Sequence, residues 1–141
     1  MENEEKKEFK KCIIDDRRFQ KIIKDKNAEE LNIYAKDLGE ILRYPLWIKK
    51  DNKVIKEKEL STSQIRHVLD EIQRMQKFDR GRLQLLRPKL AYIAGRHGGR
   101  VKEFQQIVDK AIDLVDDEKD FEFFKNFIEA IVAYHRYYGG K

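Results

Sequence analysis

The sequence predicts an all-α fold, a compact bundle of five to six helices forming a single domain over residues 1–141. Three observations predict it. The length is that of one domain. Only 7 Gly and 2 Pro are available as loop material, and apolar residues return at steps of three and four along most of the chain. The composition fits this picture: 40% of residues are charged, against about 25% in an average protein. Yet 40% are hydrophobic and 11% aromatic, too much apolar material for a disordered chain. Such a mixture suits helices with wide solvated faces.

The elements follow in order. Residues 1–5 are expected to lie outside the ordered domain. A first helix over about residues 4–25 carries Phe9, Ile13, Phe19, Ile22 and Ile23 among charges. Asn27 is placed to cap a second, whose inward set is Leu31, Tyr34, Ala35, Leu38, Ile41 and Leu42. Pro45 ends it. Residues 46–60 lack a clean period and read as linker-like, or as a brief extended excursion with Asp51-Asn52 as its turn. Ser61 and Gln64 form a capping-box pattern that opens the third helix, with Ile65, Val68, Leu69, Ile72 and Met75 inward and Gly81 closing the segment. Leu83, Leu86, Leu90, Ile93 and Ala94 mark the next stretch, in which Pro88 predicts a kink or a fresh start. Gly98-Gly99 reads as a loop. Val101 to Val115 forms a fifth helix, and Phe121 to Tyr138 a sixth that stops at Gly139-Gly140.

The net charge of +5 is unevenly spread. Residues 1–60 hold a net +2, residues 61–100 a net +6 and residues 101–141 a net −3. Seven of the nine bases in the middle block are arginine, whose planar fork suits phosphate, and protein carboxylates equally. A central basic block is the footprint of a polyanion binder. The stripe Arg82, Lys89, Arg96 advances by seven, a drift of only about 20° per step around a continuous helix. Arg66 lies near a helix start, where amides and the dipole also favour an anion. Arg87 and Arg100 complete the candidate set. The alternative is a solvated face whose charges pair with acids of the last two helices. Backbone contacts of this kind carry little sequence information.

No catalytic set stands out. Asp15-Asp16 and the run Asp116, Asp117, Glu118, Asp120 are dense in carboxylates, but sequence neighbours on a helix diverge by about 100°. The second run is placed to cap and solvate the start of the sixth helix. His67, His97 and His135 fall in separate segments with no partner at metal-ligand spacing, and His67 reads as a rim or core histidine. No metal or cofactor is expected. Cys12 is the only cysteine, which rules out an internal disulfide and reads as a small hydrophobe or an exposed thiol. Tyr134, Tyr137 and Tyr138 are placed to stack on bases or, the favoured arrangement, to pack in the core. No run is apolar enough to span a membrane, and the N-terminus lacks a signal-peptide core. A cytoplasmic location is expected.

Three stretches resemble one known family. They are Leu60-Ser61-Thr62-Ser63-Gln64-Ile65-Arg66, Leu86-Arg87-Pro88-Lys89-Leu90-Ala91-Tyr92-Ile93-Ala94-Gly95-Arg96, and Phe127-Ile128-Glu129-Ala130-Ile131-Val132-Ala133-Tyr134-His135-Arg136-Tyr137-Tyr138-Gly139-Gly140. In order and spacing they are similar to the small subunit of the type III-A CRISPR Csm effector complex, over roughly residues 60–141. The resemblance implies a non-catalytic helical protein, stacked in several copies as a filament along guide RNA and target RNA. It implies that neighbouring subunits do the cutting and that base pairing supplies specificity. Arg66, Lys89 and Arg96 fall on the motifs and are implied to contact backbone; Arg82 and Arg100 rest on charge geometry. Arg136 and Lys141 are weaker candidates in a motif better suited to packing. Self-association into a filament or dimer is expected, and two other readings stay open: a protein-interaction module whose basic face meets acidic partners without RNA affinity of its own, and a small ribonuclease using His67, His97, His135 or a carboxylate.

Overall fold

The computed structural model describes residues 11–57 and 59–141. The expected disorder of residues 1–5 and the start of the first helix, with Phe9, lie outside them. Six helices and one two-stranded hairpin follow: α1 (Asp16–Ile23), α2 (Ala28–Arg43), β1 (Trp47–Lys50), β2 (Lys53–Lys56), α3 (Thr62–Arg74), α4 (Arg80–His97), α5 (Gly99–Ile112) and α6 (Glu118–Tyr137). The mainly helical architecture is the predicted one.

Local chemistry sets most helix starts. Asp15, Asn27, Asp79 and Asp117 each cap a helix by accepting an amide of its first turn. Ser61 and Gln64 close the predicted capping box on α3, the Ser61 amide donating to Gln64 Oε1 at 2.8 Å. Several boundaries differ from the sequence reading. Asp15 as N-cap starts α1 only at residue 16. α3 ends at Arg74, and Gly81 lies within the first turn of α4 instead of closing the segment before it. α4 runs unbroken through Pro88, because Leu83, Leu86, Leu90 and Ala94 bury on both sides of it and outweigh one lost amide bond. Gly98 and Gly99, at φ 65° and 53°, turn the chain where the sequence places a loop, and Gly99 is also the first residue of α5.

Of the two readings of residues 46–60, the structure takes the extended excursion and not the linker. Trp47–Lys50 and Lys53–Lys56 pair antiparallel, and Asp51 and Asn52 at φ 52° and 64° make the tight turn that two-residue hairpins require. The Glu57 amide extends the ladder to the Leu46 carbonyl at 2.7 Å.

The core is organised around α6, whose Phe121, Phe124, Phe127, Ile128 and Ile131 are all buried. α2 packs along it most extensively and α1 lies across both. Phe19 of α1, Tyr34 of α2 and Phe127 of α6 meet as an aromatic trio with centroids 5.5–5.7 Å apart. Each such pair adds about 1 kcal/mol beyond its buried area. Tyr34 Oη donates to the Ile13 carbonyl and accepts from the Asp15 amide; burial pushes its phenol up to about 12. α4 and α5 form an antiparallel pair, and α3 packs against α4 and α6.

Candidate nucleic-acid interface

Helix α4 decides the geometry of the basic row. Because it is continuous, Arg82, Lys89 and Arg96 lie on one face, about 10 Å apart along the axis, and all three are exposed. Arg82 and Arg96 form no ion pair among the described residues. Lys89 Nζ reaches across to Glu71 of α3 at 2.7 Å. Arg66 is exposed on α3. Its helix N-terminus is occupied by the capping box, so the site at Arg66 is a cation and not the open amide nest suggested by its position.

Two members of the candidate set do not join this face. Arg87 is half-buried and braces α4 against α5, its guanidinium directed to the Asp113 carboxylate and, at 3.5 Å, to Asp109. Arg100 is 0% exposed. Its Nε donates to the Tyr44 carbonyl at 2.8 Å, and Nη1 pairs with Glu103. In sequence Arg100 extends the row only if helix persists through Gly98-Gly99, and it does not. The turn at Gly98 reverses the chain and drives Arg100 into the interior instead. Arg136 is exposed beside Thr62, and the Lys141 carbonyl accepts from Thr62 Oγ1 at 2.7 Å.

Between α3 and α4 lies an open groove of about 590 Å³. His67, Val68 and Glu71 form one wall, and Pro88, Lys89, Tyr92 and Ile93 the other. Tyr92 is 71% exposed and Leu85, on the same helix, 63%. The heptad stripe is visible in sequence; this groove is not, because it depends on how α3 crosses α4.

The remaining titratable groups serve the fold. Asp120 is buried and accepts from Lys24 at 2.6 Å, Lys26 at 2.7 Å and the Asp116 amide at 3.1 Å. Burial alone raises a carboxyl, but these hydrogen bonds outweigh it and bring Asp120 down to about 2. The acidic run thus locks α1 to α6, and Asp120 is not one of its solvated members. Asp15 is a helix cap. Among the described residues no three His, Cys, Asp or Glu side chains are grouped to hold a metal ion. His67 is on the groove rim and His97 in the last turn of α4. His135 is buried, with Nε2–H donating to the Leu60 carbonyl at 3.1 Å. Cys12 is half-buried, and burial and the Glu103 carboxylate hold its thiol above the ordinary range. Tyr134 packs on the core and bonds Asn32. Tyr137 does not: it is 78% exposed, edge-on to Tyr138.

The sequence reading missed four further cations. Lys49, Lys50, Lys53 and Lys56 are exposed on the hairpin. The turn pair Asp51-Asn52 between two short runs of apolar residues and lysine was the available signal.

Among known proteins, the chain matches the family model described as Csm2 Type III-A over residues 47–141. No curated protein and no solved structure matches it.

Proposed function

The chain belongs to the Csm2 Type III-A family, that of the small subunit of the type III-A Csm complex, and from this premise we propose that it grips RNA backbone without cutting it. In this reading Arg66, Arg82, Lys89 and Arg96 meet phosphates of guide RNA and target RNA. Copies of the chain stack as a filament beside other Csm subunits, in the cytoplasm, as part of antiviral defence. Base pairing supplies the sequence specificity, and neighbouring subunits perform the chemistry. The observation that carries the proposal is the unbroken α4, which turns a sequence spacing of seven into an exposed cationic line. Arg87 and Arg100 are left out, since their guanidinium groups are used inside the fold.

The test is fluorescence anisotropy of labelled RNA across a salt series, with wild type and Lys89→Ala/Arg96→Ala. Removing one phosphate-binding cation from a single-strand complex takes about 0.7 off the log–log salt slope, so the double variant is expected to flatten it by about 1.4. Weakening independent of RNA sequence supports the reading. Unaltered binding by the variant places the interface elsewhere, and absence of wild-type binding overturns it. Intact RNA on a denaturing gel with divalent metal is the expected companion result.

A second reading is favoured by the α3–α4 groove, whose exposed Tyr92 and neighbouring Leu85 are apolar. There the face is an interaction module for protein, and Tyr92→Ala would cost assembly without affecting RNA binding.

A further inference from the structure

We propose that the β1–β2 hairpin is a second backbone-gripping element, a lysine-studded ribbon that takes the phosphate rows of duplex RNA beyond the reach of α4. This rests on the RNA-binding reading above and adds a site to it.

Pairing fixes where the lysines stand. Trp47 lies opposite Lys56, Lys49 opposite Val54, Ile48 opposite Ile55 and Lys50 opposite Lys53. Alternation then puts Lys49 and Lys56 on one face with Trp47 and Val54, and Lys50 and Lys53 on the other with Ile48 and Ile55. Each face of a stem about 13 Å long therefore carries two cations. The only acid in the hairpin is Asp51, in the turn.

Two features point to an anion as the missing partner. First, Lys50 and Lys53 are directly opposed across the strands, an arrangement that destabilises a hairpin unless something negative lies against it. Second, none of the four lysines forms an ion pair among the described residues; Lys56 meets only the Trp47 ring, 5.8 Å from its centroid. Cations that brace the fold, among them Lys24, Lys26, Arg87 and Arg100, do have carboxylate partners, whereas the hairpin lysines share the unpaired state of Arg82 and Arg96. A chain with 26 acidic residues has left this ribbon uncompensated.

The root of the hairpin also sits where the row on α4 ends. Glu57, one residue past β2, lies so close to Gly98 that a Cβ there would stand 3.2 Å from Glu57 Oε2. Gly98 is the C-cap of α4, two residues from Arg96. The row Arg82, Lys89, Arg96 thus leads to the hairpin.

Nucleic acid fits this ribbon better than an acidic protein surface does. Lysines are hydrated point charges without the directional fork that selects individual carboxylates. Each face carries two lysines beside two apolar residues, Trp47 and Val54 on one and Ile48 and Ile55 on the other, and Val54 and Ile55 are exposed. Cations on both faces can meet the phosphate rows that border the wide, shallow minor groove of an RNA duplex, where contacts go to backbone and shape without reading bases.

The test titrates a labelled RNA duplex and a labelled single strand of arbitrary sequence with four proteins: wild type, Lys50→Gln/Lys53→Gln, Lys49→Gln/Lys56→Gln and Lys89→Ala/Arg96→Ala. Each hairpin variant is expected to weaken duplex binding about tenfold at moderate salt and to flatten the salt slope by roughly 1.5. Lys50→Gln/Lys53→Gln is also expected to melt no lower than wild type, since it relieves a like-charge pair; weaker binding with stability kept separates a direct role from unfolding. Hairpin variants that bind duplex like wild type, while the α4 variant is weakened, overturn this inference and leave the α4 reading standing. Weakening of single-strand binding alone overturns the duplex assignment. Absence of RNA binding by wild type overturns both.

Discussion

His135 shows how one buried side chain ties local chemistry to a measurable property. It sits beneath the C-terminal tail, where a Cβ on Gly140 would stand 2.3 Å from its ring. Nε2–H is used on the Leu60 carbonyl, and Nδ1 is buried with no hydrogen-bond partner. Burial lowers its pKa from the ordinary 6.5; the Leu60 bond opposes this, while Arg136 and Arg43 add to it. The neutral ring is therefore the folded form, and protonation would leave a charged donor facing nothing. The stability it contributes is complete above pH 6.5 and is lost as pH falls through the lowered folded value. Urea midpoints measured from about pH 7.5 to about pH 5 are expected to decline in wild type. They are expected to decline less in His135→Gln, whose amide keeps a donor for Leu60 but cannot titrate. Equal slopes in the two proteins would remove His135 as the cause.

At the level of elements, α2 and α6 approach closely enough that the contact turns on Gly39. A Cβ there would stand 2.7 Å from Tyr134 Cβ and 2.8 Å from the Ile131 carbonyl oxygen and the His135 amide nitrogen. Two of these three neighbours are backbone, so relief requires the helices to separate. Alanine is the better helix former by about 1 kcal/mol, and a position limited only by propensity would gain from Gly39→Ala. Here overpacking dominates, and a net loss of about 1–3 kcal/mol is expected in thermal or urea melts. A stabilised variant would mean that α2 and α6 lie farther apart. Element boundaries show the same competition. Asn27, Ser61 and Gln64 act as their sequence predicts, because a cap satisfies amides within three residues. Gly81 does not close α3 and Pro88 does not start a fresh helix, because packing of α4 against its neighbours overrides local preference.

Across the molecule as a whole, Arg100 connects segments far apart in the chain. Its guanidinium joins the Tyr44 carbonyl after α2 to Glu103 of α5. Glu103 in turn accepts the Cys12 amide ahead of α1 at 2.6 Å. Breaking such a pair leaves a carboxylate without its cation in a largely dry site, so Arg100→Met is expected to lower unfolding free energy by about 3 kcal/mol. While it is folded, its RNA affinity is expected to match wild type, the reverse of the pattern for Arg66, Lys89 or Arg96. Weaker binding at unchanged stability would return Arg100 to the interface.

Local patterns in the chain were enough to settle the helical class, the inward residues of α2 to α6, most of the caps and the heptad row on α4. These depend on a short-range periodicity of 3.6 residues and on hydrogen bonds closed within a turn, both written locally in the chain. Which cations were left for a partner was settled by the folded arrangement instead. Arg87 and Arg100 look like Arg82 and Arg96 in sequence, yet acids 22–26 residues away hold the first, and the turn at Gly98 buries the second. The ribbon at residues 47–56 was legible only as an extended alternative with Asp51-Asn52 as its turn, since each strand spans only four residues. Net charge does not change when a chain folds, but its exposure is set by which distant segments meet, and no local pattern records that meeting.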